Sequence, residues 1–79
     1  MKKKKYFITK DIWFASLLIA KGLEISEIEN RNGVVFFKFQ EKKKAEEYIN
    51  DFLNNRIEVP ARKFVEAYRN VKSLTFTEA

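Results

Sequence analysis

Leu23-Glu24-Ile25-Ser26-Glu27-Ile28-Glu29-Asn30-Arg31-Asn32-Gly33-Val34-Val35-Phe36-Phe37-Lys38-Phe39-Gln40 is the stretch that decides the fold. Two apolar runs, Leu23–Ile28 and Val34–Phe39, flank the polar tetrad Asn30-Arg31-Asn32-Gly33. Asn and Gly both tolerate the positive φ that a tight return requires, so the stretch predicts a β-hairpin. The second run is apolar on both faces, with Val35, Phe37 and Phe39 on one side and Val34, Phe36 and Lys38 on the other. Such a strand belongs in the middle of a sheet. In the first run Leu23 and Ile25 share parity whereas Ile28 does not, which predicts a bulge or a strand end near Ser26–Glu27.

Upstream of the hairpin, Tyr6-Phe7-Ile8 reads as the first strand. Thr9 is the expected N-cap of a helix from about Lys10 to Lys21, with Asp11 in its first turn and Gly22 as the left-handed residue that ends it. Ile12, Trp13, Phe14, Ala15, Leu17, Leu18, Ile19 and Ala20 make this helix apolar on nearly every side, so it is buried in its own domain or in a partner. Because it joins the first two strands, these should run parallel with the third between them, in the order 1-3-2.

Downstream, Ala45, Tyr48, Ile49, Phe52 and Leu53 recur at helical spacing and predict an amphipathic helix packed on the sheet. Pro60 suits the first position of a third helix, whose expected buried stripe is Ala61, Phe64, Val65, Tyr68 and Val71. Leu74-Thr75-Phe76-Thr77 is open between a short fourth strand and a continued helix end. The expected fold is α+β: βαββα plus a third C-terminal helix, with a three-stranded sheet of order 1-3-2, half of a ferredoxin-like arrangement. Residues 1–5 read as a basic tail and residues 6–79 as one domain.

With 79 residues, 46% of them hydrophobic, the chain suffices for one compact domain and not for two. Eight Phe, three Tyr and one Trp supply the large side chains of its core, each contributing roughly 1.5–3 kcal/mol when fully buried. The absence of Cys and His removes thiolate and imidazole ligands, disulfides and imidazole acid/base chemistry. Apolar residues Ile12–Ala20 fall well short of the ~20 needed to span a bilayer. A cytoplasmic protein with no membrane partner is expected.

The net charge of +5 favours polyanions. It is unevenly placed: without Lys2, Lys3, Lys4 and Lys5 the remainder holds 12 basic and 11 acidic residues, or +1. Arg56, Arg62, Lys63, Arg69 and Lys72 could line the start and outer face of the third helix and contact phosphates together with the lysine tail. Glu66 between Arg62 and Arg69 favours the alternative, a solvated ion-pair ladder. Phe7 with Phe36 on a helix-free sheet face would resemble the base-stacking surface of RNA-recognition modules, but the third strand lacks their basic-Gly-aromatic spacing.

Other chemistry has little to stand on. Gly22 and Gly33 are the only glycines, so there is no phosphate-cradling loop. Ser16 sits in an apolar helix, where a small residue permits close packing. Glu24, Glu27 and Glu29 read as a solvated strand edge that discourages further pairing rather than as a cation site. No catalytic residue, metal, cofactor or small-molecule substrate is expected.

Tyr6-Phe7-Ile8-Thr9-Lys10-Asp11, Ala15-Ser16-Leu17-Leu18 with Gly22, Asn32-Gly33 followed by Val35-Phe36-Phe37, and Val59-Pro60-Ala61 together resemble a small family of prokaryotic and phage-borne domains of unknown function. The resemblance spans nearly the whole chain. Its motifs are caps, turns and core, so it implies a self-contained fold and no activity.

The function class expected is therefore a small non-enzymatic protein-interaction or accessory domain. It is expected to self-associate or to bind a protein partner, with Trp13 and Phe36 as interface residues. The alternative is a nucleic-acid-binding accessory protein using Lys2, Lys3, Lys4, Lys5, Arg56, Arg62, Lys63 and Arg69.

Overall fold

The computed structural model describes the backbone of residues 5–78 and the side chains of residues 5–75. The elements are β1 (Phe7–Thr9), α1 (Ile12–Ala20), β2 (Ile25–Arg31), β3 (Val34–Phe39), α2 (Lys42–Leu53) and α3 (Ala61–Glu78). At the hairpin, Asn32 and Gly33 take φ of 53° and 87°, and the Asn30 side-chain oxygen accepts from the Gly33 N–H at 2.9 Å. Both β1 and β2 pair antiparallel with β3, so the sheet has order β1-β3-β2 and its outer strands run parallel.

The anticipated bulge lies between Ile25 and Glu27. Its extra residue restores parity: Ile25 stands opposite Phe39 and Ile28 opposite Phe37, so both face the core. Val35, Phe37 and Phe39 form the centre of that face, and Phe7, Ile25 and Ile28 pack around them. Ala15, Leu17 and Leu18 of α1, Ala45 and Ile49 of α2, and Val71 of α3 close the core from the other side.

The N-cap of α1 is Asp11 rather than Thr9. The Asp11 carboxylate accepts from the N–H groups of Trp13 and Phe14 at 2.8 and 3.1 Å, while Thr9 Oγ1 accepts only from the Asp11 N–H at 3.0 Å. Thr9 is still paired with Phe37 in the sheet, which holds it extended and moves the helix start downstream. At the other end Gly22, with φ of 101°, donates to Ile19 O, and Leu23 donates to Leu18 O. This is the Schellman closure, and the Leu23 side chain joins the core beside Leu18.

Helix α3 packs along α1, and this explains why α1 is apolar on all sides: the sheet, α2 and α3 all border it. The buried stripe of α3 differs from the expected one. Ala67 and Val71 are buried with Phe64 and Tyr68 partly so, whereas Ala61 and Val65 are exposed. A small residue at position 67 admits close helix approach, and the helix is rotated accordingly. Pro60 precedes the helix rather than standing in its first turn, its carbonyl accepting from the Phe64 N–H at 3.1 Å. Residues 74–77 continue α3, so no fourth strand forms there.

The other face of the sheet is left without a helix. It carries Ile8, Val34, Phe36, Lys38, Glu27, Glu29 and Arg31, as the register requires. Phe7, opposite Phe39, lies on the core face and does not join Phe36. Ala45 and Ile49 of α2 are buried as expected, but Phe52 and Leu53 are 46% and 67% exposed. Twelve helical residues span about 18 Å, whereas the three residues of β1, on which α2 packs, reach about 10 Å. Helix α2 is therefore longer than the strand it packs on, and its last turn carries Phe52 and Leu53 outside the core.

Candidate functional site

Trp13 and Phe36 lie on different surfaces. Trp13 projects from the first turn of α1 onto α3, stacked on Tyr68 with centroids 4.6 Å apart and planes within 8°, and parallel to Phe64 at 6.2 Å. It remains 54% exposed. Tyr68 also has the Lys72 ammonium 5.7 Å from its ring centroid. Phe36 is half-buried on the open sheet face, with the Arg31 guanidinium 4.9 Å from its ring centroid.

That open face is electrically balanced. Lys38 Nζ lies 2.8 Å from Glu27 and 3.3 Å from Glu29, and Arg31 donates two hydrogen bonds to Glu29 at 2.7 and 3.0 Å. Arg31 and then Lys38 hold the Glu29 carboxyl at about 2, well below its ordinary value, and the same contacts raise Arg31 and Lys38. Two acids and two bases neutralise one another around Phe36, which is not the potential a phosphate backbone seeks. Among the described residues no three carboxylates gather as a cation site.

Sequence inspection misses an apolar concavity. The end of α2, the connection to α3 and one side of α1 enclose an open groove of about 790 Å³, whose apolar walls are Leu17, Phe52, Ile57, Val59, Pro60 and Phe64. Phe14 supports Phe52 edge-on at 6.0 Å. Because Phe64 both lines the groove and lies parallel to Trp13, groove and exposed indole form one continuous apolar surface. Leu53 stands exposed at the adjoining end of α2. The apolar pair Ile57 and Val59, in a segment too short to be an element, was the available sequence signal.

The basic residues are not gathered into one site. Arg56, in the α2–α3 connection, lies 3.5 Å from Asp51, and Arg62 lies 3.6 Å from Glu66, as the ladder reading anticipates. Lys63 borders a separate small groove with Ile19, Ala20, Gly22, Glu66 and Asn70. Arg69 is exposed seven residues after Arg62, on the same outer helix face. Lys5 is exposed, while Lys2, Lys3 and Lys4 lie outside the described residues. Ser16 is fully buried and donates to Ile12 O at 2.6 Å, the packing role of a small helical residue.

No described helix is long and apolar enough to cross a membrane. No curated protein and no solved structure matches the chain. A family model does match residues 4–77, almost the full length, and by that match the chain belongs to the DUF5659 family, a domain of unknown function.

Proposed function

We propose that this domain is a non-enzymatic protein-interaction module of the cytoplasm that self-associates. The observation that carries the reading is the continuous apolar surface running from Trp13 across Phe64 into the groove bounded by Phe52. Contiguous exposed apolar surface of this kind marks protein-interaction sites.

Nucleic-acid binding is the weaker reading. Arg56 and Arg62 each have a carboxylate beside them, and the open sheet face is neutral. Light scattering on the full chain at low and high salt separates the two. An apolar interface gives a dimer mass that salt does not reduce. A monomer mass at every concentration and salt overturns the proposal.

A further inference from the structure

We infer that single-stranded nucleic acid binds across the exposed Trp13 indole, with a base stacked on the ring and the flanking phosphates on Arg69 and Lys72. This goes beyond the self-association proposed above and does not depend on it. Both occupants need the open indole, so they compete for it.

The rings supply a flat surface already held in place. Trp13 lies parallel to Tyr68 at 4.6 Å and to Phe64 at 6.2 Å, and 54% of the residue stays exposed. Stacking against two rings of α3 fixes the indole plane before any ligand arrives, so a base extends an existing stack with little ordering cost. Every base presents a π-face, which makes such a contact tolerant of sequence.

Charge selects the ligand. Val65, Tyr68, Arg69 and Lys72 share one face of α3 by their helical spacing. The Lys72 ammonium lies 5.7 Å from the Tyr68 ring centroid, one ring away from the indole, and Arg69 is exposed at the next position along the helix. Unlike Arg56 and Arg62, neither has a carboxylate beside it among the described residues. No acid stands between Glu66 and Glu78 on this helix. The acid closest in sequence to Trp13 is Asp11, whose carboxylate is engaged by the Trp13 and Phe14 N–H groups. An open ring beside uncompensated cations matches the alternation of base and phosphate along a single strand. A duplex hides its base faces, and an acidic peptide would meet the cations without using the flat stack.

Trp13 is the only tryptophan, so its emission reports this site directly. The test titrates the full chain with single-stranded oligothymidylate of about sixteen nucleotides, and with a duplex of the same length. The expected result is saturable quenching by the single strand and none by the duplex. By anisotropy of a labelled strand, Trp13→Leu, its fold checked by far-UV circular dichroism, should bind about tenfold more weakly. Arg69→Gln with Lys72→Gln should lower the salt slope by about 1.4, at about 0.7 for each charge removed. Lys43→Gln with Lys44→Gln makes the same charge loss on α2 and should cost far less. These four residues are exposed, so both double variants keep the fold. Absence of binding at low salt, binding without quenching, or equal losses from the two double variants overturns the inference. Equal quenching by polyglutamate also overturns it, and makes the surface a site for acidic protein. Oligomeric mass is a separate readout, so self-association stands or falls independently.

Discussion

The Trp13 indole lies flat against the Tyr68 ring, 4.6 Å between centroids, and this contact ties the first turn of α1 to the middle of α3. Its geometry is offset stacking between two helices, extended by Phe64 lying parallel to the same indole at 6.2 Å. One indole side thus serves the fold while more than half of the residue remains open to a partner.

Trp13→Ala should destabilise the domain by about 1–2 kcal/mol, less than the 3–5 of a fully buried aromatic, because Trp13 is half exposed. Trp13→Phe, which keeps a ring against Tyr68, should recover about half of that. Urea unfolding followed by circular dichroism measures both. Equal losses for Ala and Phe would show that the stack contributes nothing specific.

The caps make opposite predictions for the two earlier helices. Asp11→Ala removes the acceptor of two N–H groups and should cost about 1 kcal/mol. Thr9→Ala should cost less, since Thr9 accepts only from Asp11. Glu41, by contrast, precedes α2 without any side-chain cap bond. Glu41→Ser should therefore stabilise by about 0.5–1 kcal/mol. Thermal or urea unfolding of the three variants gives the order, and a costlier Thr9→Ala than Asp11→Ala would refute the cap assignment.

Acid should act through Glu29. Arg31 and Lys38 depress its folded pKa from 4.5 to about 2. Between these values the unfolded chain binds the proton more readily than the folded one, so this contribution is present above about 4.5 and fades as pH falls toward 2. Melting temperatures of the parent and Glu29→Gln across that range provide the check. The parent should lose more stability on acidification than Glu29→Gln, and parallel curves would mean that the network carries no linkage.

The hairpin, the bulge, the strand order and the closure of α1 at Gly22 were legible because local chemistry determines each. Asn32-Gly33 requires positive φ, and the parity break between Ile25 and Ile28 requires an extra residue. The cap at Asp11 was not legible, because Thr9 has an equally suitable side chain and only its pairing with Phe37 excludes it. The stripe of α3 was misread at Val65 because hydrophobicity outweighed size, whereas the contact with α1 selects the small Ala67. Phe52 and Leu53 fit the helical period but stay exposed at the end of a helix longer than the strand it packs on, a mismatch of element lengths that periodicity does not encode. Phe52 lines the groove from that exposed end, so the candidate site was legible only through Trp13. Phe36 lies off the core face, with the Arg31 guanidinium 4.9 Å from its ring centroid.

Sedimentation equilibrium of the unmodified full chain over a wide concentration range tests the central claim most directly. The account predicts a mass that rises from one chain to two, with a midpoint unchanged between low and high salt. A mass of one chain throughout, or association that salt abolishes, would contradict it.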